Sequence, residues 1–438
     1  MSLSLRRTLW IGLLLLASPS AAELDRAERQ MLQAIDRRTP ASLALLERAV
    51  NINSGSMNFD GVRKVAQLFE PEFKSLGFKV RWADGASFGR AGHLIAERDG
   101  RRGSPKVLLI GHLDTVFEPD SPFQKFVKLD DSTARGPGII DMKGGDVIVL
   151  LALGALADAG VLDQLSVRVV FTGDEEKSGT PLSLARRDLL QAADWADIAI
   201  GFEDGAGDPR SAVIARRGTA SWTLQTSGRP SHSGQIFRPD VGSGAIYEAA
   251  RILTAFHDSL AGERYLTFNP GLILGGTTIG VQDDGSRGMA FGKNNVVAES
   301  TTVRGDLRTL TLEQRARAQR TMQRIVSRNL PRTDARITFE EGYPPLAPSP
   351  GNRRLLAMYD EASRDLGLGP VEEVDPSRAG AADVSFTEGR VEMAIDGIGL
   401  RGAGGHTVQE AADLNTLRTQ AQRAAVMLMR LAKAKRAS

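Results

Sequence analysis

Residues 106–116 read KVLLIGHLDTV: a short aliphatic run, then a glycine, a histidine and, two places on, an aspartate. The run has the length of a buried strand, and the polar residues stand where such a strand ends. Two further stretches share the pattern, SVRVVFTGDEE at 166–176 and ADIAIGFED at 196–204. Between the first two lies GGDVIVLLALGALADAG, 144–160, apolar all round and bounded by glycine, which reads as a buried helix. Such alternation predicts an α/β fold with a mainly parallel sheet and helices on its faces.

Outward from this centre, residues 23–52 and 58–78 read as helices, the second amphipathic and closing near Gly77. The texture changes near residue 215. TASWTLQTSG (219–228), YLTFNPGLILGG (265–276) and VVAESTTVRGDLRTL (296–310) alternate like half-exposed strands, with helical stretches at 242–260 and 311–330. EGYPPLAPSPG, 341–351, carries four prolines and reads as a linker, after which 352–368 resumes helix and 391–400 strand. The expected organisation is a catalytic domain over 23–215 and 344–438, interrupted by a smaller α+β lid over 216–343.

Composition narrows the chemistry. The 438 residues are 42% hydrophobic and 25% charged, with a formal charge of +2, an ordinary soluble balance that gives no argument for nucleic acid or membrane partners. There is no cysteine, so disulfides, thiolate metal sites and cysteine nucleophiles are all excluded. The N-terminus has Arg6 and Arg7 ahead of a short apolar run and small residues through Ala22. That is the pattern of a cleavable signal peptide over 1–22, too short to span a bilayer, and it places the protein in the periplasm or outside the cell.

Five histidines are present, and one of them opens the site. Beyond the carboxyl ends of the three strand-like runs stand His112 and Asp114, then Glu175 and Glu176, then Glu203 and Asp204, while Asp141 lies in the turn GPGIIDMKGG (136–145) before the helix. Ligands of open α/β sheets bind beyond these strand ends. So many carboxylates on one edge would oppose one another's ionisation unless cations neutralise them. Imidazole and carboxylate without thiolate suit zinc or cobalt, and Asp114 is placed to fix the tautomer of His112. A further ligand is expected from GAGGHTVQEAADL (402–414), which offers His406.

GHLDTV, DMKGG, GDEEKSG, FED, SGRPSHSG and GGHTVQE stand in the order and spacing of a known group. Over nearly the whole chain after the leader, the sequence resembles the glutamate carboxypeptidase and aminoacylase family of dinuclear zinc exopeptidases, and with it acetylornithine deacetylase and succinyl-diaminopimelate desuccinylase. The resemblance implies two Zn2+, with Co2+ or Mn2+ as substitutes. It makes Asp141 the bridging ligand, with His112 and Glu203 on one zinc and Glu176 and His406 on the other, Asp204 being the rival to Glu203. Glu175 becomes the general base and Asp114 the residue that orients His112. His93 and His257 match no ligand position and read as structural.

The same resemblance sends His232 of the lid to the active site of the other subunit of a homodimer, where it stabilises the oxyanion. It gives Asn295 and Arg308 to the substrate carboxylate or oxyanion; an arginine fork suits a carboxylate geometrically. The implied reaction is hydrolysis of an amide next to a free carboxylate, in a small peptide or an N-acyl amino acid. The alternatives are an N-acyl-amino-acid deacylase and, in another class, a secreted binding protein on an inactive scaffold. One departure stands out: Tyr343, in EGYPPL, occupies the register where glutamate-releasing relatives carry an arginine, so tight recognition of a C-terminal glutamate is not expected.

Overall fold

The computed structural model describes residues 24–282 and 286–434; the leader read at 1–22 lies outside the described residues. The aliphatic runs become adjacent strands. Lys106–His112 is flanked in parallel by Ser166–Thr172 on one side and Ile198–Gly201 on the other. Met393–Ile395, from beyond the insert, pairs in parallel with Ile198–Gly201 and ends the sheet. The opposite edge differs from a purely parallel reading, because Lys79–Asp84 and Gly92–Arg98 add an antiparallel pair, giving six strands in all.

Gly144–Asp158 is buried nearly from end to end, between the sheet and the helices Arg26–Val50 and Asn415–Lys433. A helix apolar on every side has no face to offer water, and this packing needs none. Its start is pressed so close to the sheet that a Cβ on Gly145 would lie 2.0 Å from the Phe202 carbonyl oxygen. The glycine of the DMKGG turn is therefore a requirement of packing. Arg26–Val50 opens with a capping box in which Asp25 and Glu28 bond each other's backbone N–H, securing its first turn.

The half-exposed strands form a second sheet, antiparallel, ordered Thr267–Gly276, Ser300–Thr309, Gly218–Ser227 and Asp334–Glu341. Helices Gly244–Leu260 and Leu312–Val326 cover one face around Trp222, Phe256, Val303, Leu307 and Met322. Two chain crossings join this unit to the parallel sheet, and they are bonded to each other. Arg216 and Leu346 exchange N–H to carbonyl bonds of 2.9 Å, and the Thr219 N–H donates to the Tyr343 carbonyl at 2.9 Å. The proline-rich return is thus held at its start by main-chain bonds, and Ser349 caps the helix that begins at Pro350. Among the described residues no helix is long and apolar enough to cross a membrane.

Candidate metal centre

Because three parallel neighbours end together, His112, the Glu175–Glu176 pair and Glu203 project from one edge of the sheet. Asp141 joins them from the turn ahead of the buried helix. His406 arrives from the C-terminal segment, where Gly402–Ala403 and Ala411–Asp413 pair alongside Thr133–Arg135 and so set the His406 loop against that turn. His406 has φ +62°, a left-handed conformation uncommon outside glycine, next to Gly404 at +79°.

The distances show a divided cluster. Asp141 Oδ1 lies 3.0 Å from His112 Nε2, which is 3.6 Å from Glu203 Oε1; Asp141 Oδ2 lies 2.8 Å from His406 Nε2, which is 3.2 Å from Glu176 Oε2. One carboxylate therefore turns an oxygen to each of two acid and imidazole pairs. Among the described residues the potential metal-holding groups are these two, with ligand atoms within 4.8 Å of one another, and Asp204 joins neither.

Charge makes the same point. Burial, reinforced by neighbouring carboxylates, pushes the carboxyls of Glu175 and Glu203 well above their ordinary range and raises Glu176. Hydrogen bonds to Asp141 and Glu176 raise His406 to about 11, and Glu203, Asp114 and Asp141 outweigh burial to raise His112. Divalent cations would relieve this crowding of carboxylates. Glu176 Oε1, buried and without a hydrogen-bond partner, is an acceptor of the kind a cation satisfies. The donor set fits a pair of divalent ions.

Around the cluster the structure assigns supporting contacts. Nδ1 of His112 is 3.0 Å from the Asp114 carbonyl and 3.5 Å from its carboxylate, so Asp114 lines this side of the ring with both groups. The Asp114 carboxylate is occupied elsewhere, accepting from Ser56 Oγ (2.6 Å) and from the N–H groups of Glu175 (3.0 Å) and Glu176 (3.1 Å). It holds the two glutamates in place while its Oδ1 stands 3.5 Å from His112 Nδ1. His93 is a core residue stacked on Phe88, with Nε2 2.8 Å from the Ala185 carbonyl and Nδ1 accepting from the Gly173 N–H. His257 is exposed on helix Gly244–Leu260, beside Asp258.

Glu410 carried no role in the sequence reading although it closes the GGHTVQE motif. It is fully buried and accepts from the N–H groups of Gly138 (3.1 Å), Ile140 (2.9 Å) and Asp141 (3.3 Å), which fixes the turn that presents Asp141. Lys143, also buried, donates to the Ile52 carbonyl at 2.9 Å, and burial pulls it down to about 7. The signal available in sequence was the charge itself, an acid and a lysine next to motif residues.

The remaining candidates stand on the antiparallel unit, at opposite ends of its sheet. Arg308 pairs across from Thr219, at the end joined to Tyr343, and its Nε bonds Asp306 at 2.9 Å. His232 and Asn295 lie together past the far end, where Ser227 faces Ser300; His232 bridges Val296, and the Ser233 N–H donates to the Asn295 carbonyl at 2.9 Å. From Thr219 to Ser227 is about 26 Å at the usual strand rise. His232 Nδ1 accepts from the Gly234 N–H, which leaves Nε2 as the donor of the neutral ring. Tyr343 directs its hydroxyl to the Glu175 carbonyl at 3.1 Å and to Arg186.

Comparison with known proteins agrees with this architecture. The family model described as peptidase family M20/M25/M40 matches residues 108–430. Carboxypeptidase G2 of Pseudomonas sp. (strain RS-16) is 27% identical over 436 residues, covering 98% of each chain. Among solved structures, a tripeptidase from Staphylococcus aureus superposes with a TM-score of 0.69 at 19% identity, over 90% of this chain and 99% of that one. A Bacillus subtilis protein described as a dinuclear metal-binding peptidase of family M20 gives 0.61 at 14% identity, over 91% and 99%. At these identities the two structures speak for the fold.

Proposed function

The chain belongs to the peptidase family M20/M25/M40 and is a metallo-carboxypeptidase or amidohydrolase; from that premise we propose that it uses a zinc pair to hydrolyse an amide next to a free carboxylate. The products are a C-terminal amino acid and the remaining peptide or acyl group. The observation that carries this reading is Asp141, with one oxygen toward His112 and Glu203 and the other toward His406 and Glu176. We assign those five residues as ligands, zinc as the native ion, and cobalt or manganese as substitutes. We also assign residues 23–215 and 344–438 to the catalytic domain and 216–343 to the lid.

Bound there, the cation pair would polarise the scissile carbonyl and make water acidic enough to attack near neutral pH. The protein's own groups do the rest. Glu175 accepts the proton of the attacking water and passes it to the departing amine. Arg308 receives the substrate carboxylate with the fork geometry that guanidinium offers. His232 donates Nε2–H to the oxyanion, and Asn295 beside it adds a second polar contact.

In one chain His232 and Asn295 sit a full strand length beyond the Thr219–Tyr343 junction, so this role is given to the partner subunit of a homodimer. Thr267–Gly276 is an edge strand, and exposed Ile246, Tyr247, Ile273, Met289 and Phe291 gather on the lid, with Ile246 beside Gly275 of that strand. A second copy covering this face would bury an apolar patch that a monomer leaves wet. Ile246→Asp with Ile273→Asp should give monomers in sedimentation and abolish turnover; fully active monomers would remove the cross-subunit role. The leader, if cleaved, delivers the enzyme to the periplasm or beyond.

The direct test is dialysis against a chelator, reloading with zinc, cobalt or manganese, and assay on dipeptides, acetylated amino acids and their C-terminal amides. Activity should vanish with the metal, return with two equivalents per chain, and require the free carboxylate. Turnover that survives metal removal, or is indifferent to amidation, would contradict the proposal. Faster cleavage of acetylated amino acids than of dipeptides would select the deacylase alternative.

A further inference from the structure

Tyr343 belongs to two parts of the molecule at once. Its main chain is tied into the lid: its carbonyl accepts from the Thr219 N–H (2.9 Å) and from the Arg315 guanidinium (2.7 Å), and its N–H donates to Thr219 Oγ1 (3.2 Å). Its side chain lies in the other part. The ring meets Phe386 edge-on at 4.9 Å between centroids, with the Arg186 guanidinium over its face, and the hydroxyl donates to the Glu175 carbonyl at 3.1 Å. Arg186 and Ser178 both contact that hydroxyl as donors.

The anchor behind Tyr343 is rigid. Arg186 is fully buried and is held by Asp174 at 2.6 Å and Asp383 at 2.7 Å, while Asp383 also accepts from Thr172 at the end of the strand that leads to Glu175. With the Glu175 N–H on Asp114 and its carbonyl on Tyr343, the main chain on both sides of this residue is pinned. The first crossing is built alike: Arg216 Nε bonds Asp396 at 2.7 Å, and Asp396 accepts from the Glu203 N–H at 3.3 Å. Both crossings between lid and sheet therefore end on the backbone of a residue at the cluster.

We propose that Tyr343 is a positioning residue for Glu175: its hydroxyl, carried by the segment that follows Asp334–Glu341, sets the Glu175 main chain so that the carboxylate faces the space beside Asp141, and lid and base shift together. This rests on the reading of Glu175 as the general base. It also explains what the tyrosine does in a register where a substrate-binding cation was expected, since its polar end is engaged with the protein. A misplacement of about 1 Å at a reacting group costs up to roughly 100-fold in rate, so losing one of two pins should cost a substantial part of that.

The test is Tyr343→Phe, which keeps the ring and removes the hydroxyl, measured beside Glu175→Gln and the double variant. Tyr343→Phe should lower kcat by about 10-fold, with KM within about twofold, two metals still bound and a melting temperature close to the parent. In the Glu175→Gln background it should change the residual rate by less than about twofold, because the group it positions can no longer act. Unchanged kcat, an effect confined to KM, loss of metal, a lowered melting temperature, or a full further loss in the double variant would each overturn the proposal. Full turnover in Glu175→Gln alone would instead overturn the assignment of the base, a result that does not involve Tyr343.

Discussion

Replacing Glu410 with glutamine should weaken metal binding without touching a ligand. The buried carboxylate spreads three backbone N–H groups over two oxygens, Ile140 and Asp141 on one and Gly138 on the other. Glutamine has the same size but only one acceptor oxygen, and whichever way it sits an NH2 group must face an N–H. At least one of the three N–H groups is left buried without an acceptor, a cost of about 1.5 to 3 kcal/mol. The turn that pays this penalty presents Asp141, whose two oxygens lie 3.0 and 2.8 Å from His112 and His406. If the cost falls on the metal-bound arrangement, affinity drops by about 10- to 150-fold, which matches the usual effect of residues that support metal ligands. Competition with a chromophoric chelator reads the affinity, and melting of metal-free and metal-loaded protein shows where the cost lies. Parental affinity, or equal destabilisation of both forms, would refute the reasoning.

Arg186→Met leaves Asp174 and Asp383 buried without a cation and should cost about 3 to 5 kcal/mol in urea unfolding; a change below about 1 kcal/mol would show that the acids find other partners. Arg308→Ala should raise KM for free-acid substrates by roughly 10- to 100-fold and leave poor amidated substrates unchanged, whereas equal losses on both would place Arg308 elsewhere. Asp158, held below the ordinary carboxyl range by its hydrogen bond to Arg38, ties the first helix to the buried one. A depressed carboxyl stabilises above its unfolded pKa, so Asp158→Asn should cost at most about 1 kcal/mol at pH 7, and acid unfolding curves of parent and variant should converge as pH falls below about 4.

What the sequence made legible was whatever repeated a physical period. The aliphatic runs before His112, Glu175 and Glu203 read as strands by their short length and their polar ends, and the 144–160 run as a covered helix by its greater length between glycines. The antiparallel pair at 79–84 and 92–98 was missed because the first, at the sheet edge, buries one residue of six, and the second has only the short apolar run Leu94 to Ala96 between polar residues. Asp334–Glu341 did alternate, through Ala335, Ile337 and Phe339, and was lost between a helix and a proline-rich stretch. The hairpin of Thr278–Val281 and Gly288–Phe291 has little buried face and so little pattern. At the cluster, the acids and imidazoles were legible as charges at strand ends. Glu410, Arg186 and the hydroxyl of Tyr343 were not, because each acts on a segment distant in sequence, Glu410 and Tyr343 on backbone groups and Arg186 on the Asp383 carboxylate, and sequence carries no trace of which segment that will be.

Adjacent Glu175 and Glu176 are assigned different work. Neighbouring side chains leaving a strand diverge, and here Glu176 lies 3.2 Å from His406 within a ligand group while Glu175 belongs to none among the described residues. Metal content and turnover measured together on Glu175→Gln and Glu176→Gln separate the two roles. Glu175→Gln should keep two ions and lose at least about 100-fold in kcat, whereas Glu176→Gln should lose metal, a neutral amide standing where an anionic ligand is needed. Metal loss from the first with retention in the second would reverse the assignment, and normal turnover in either would contradict the mechanism.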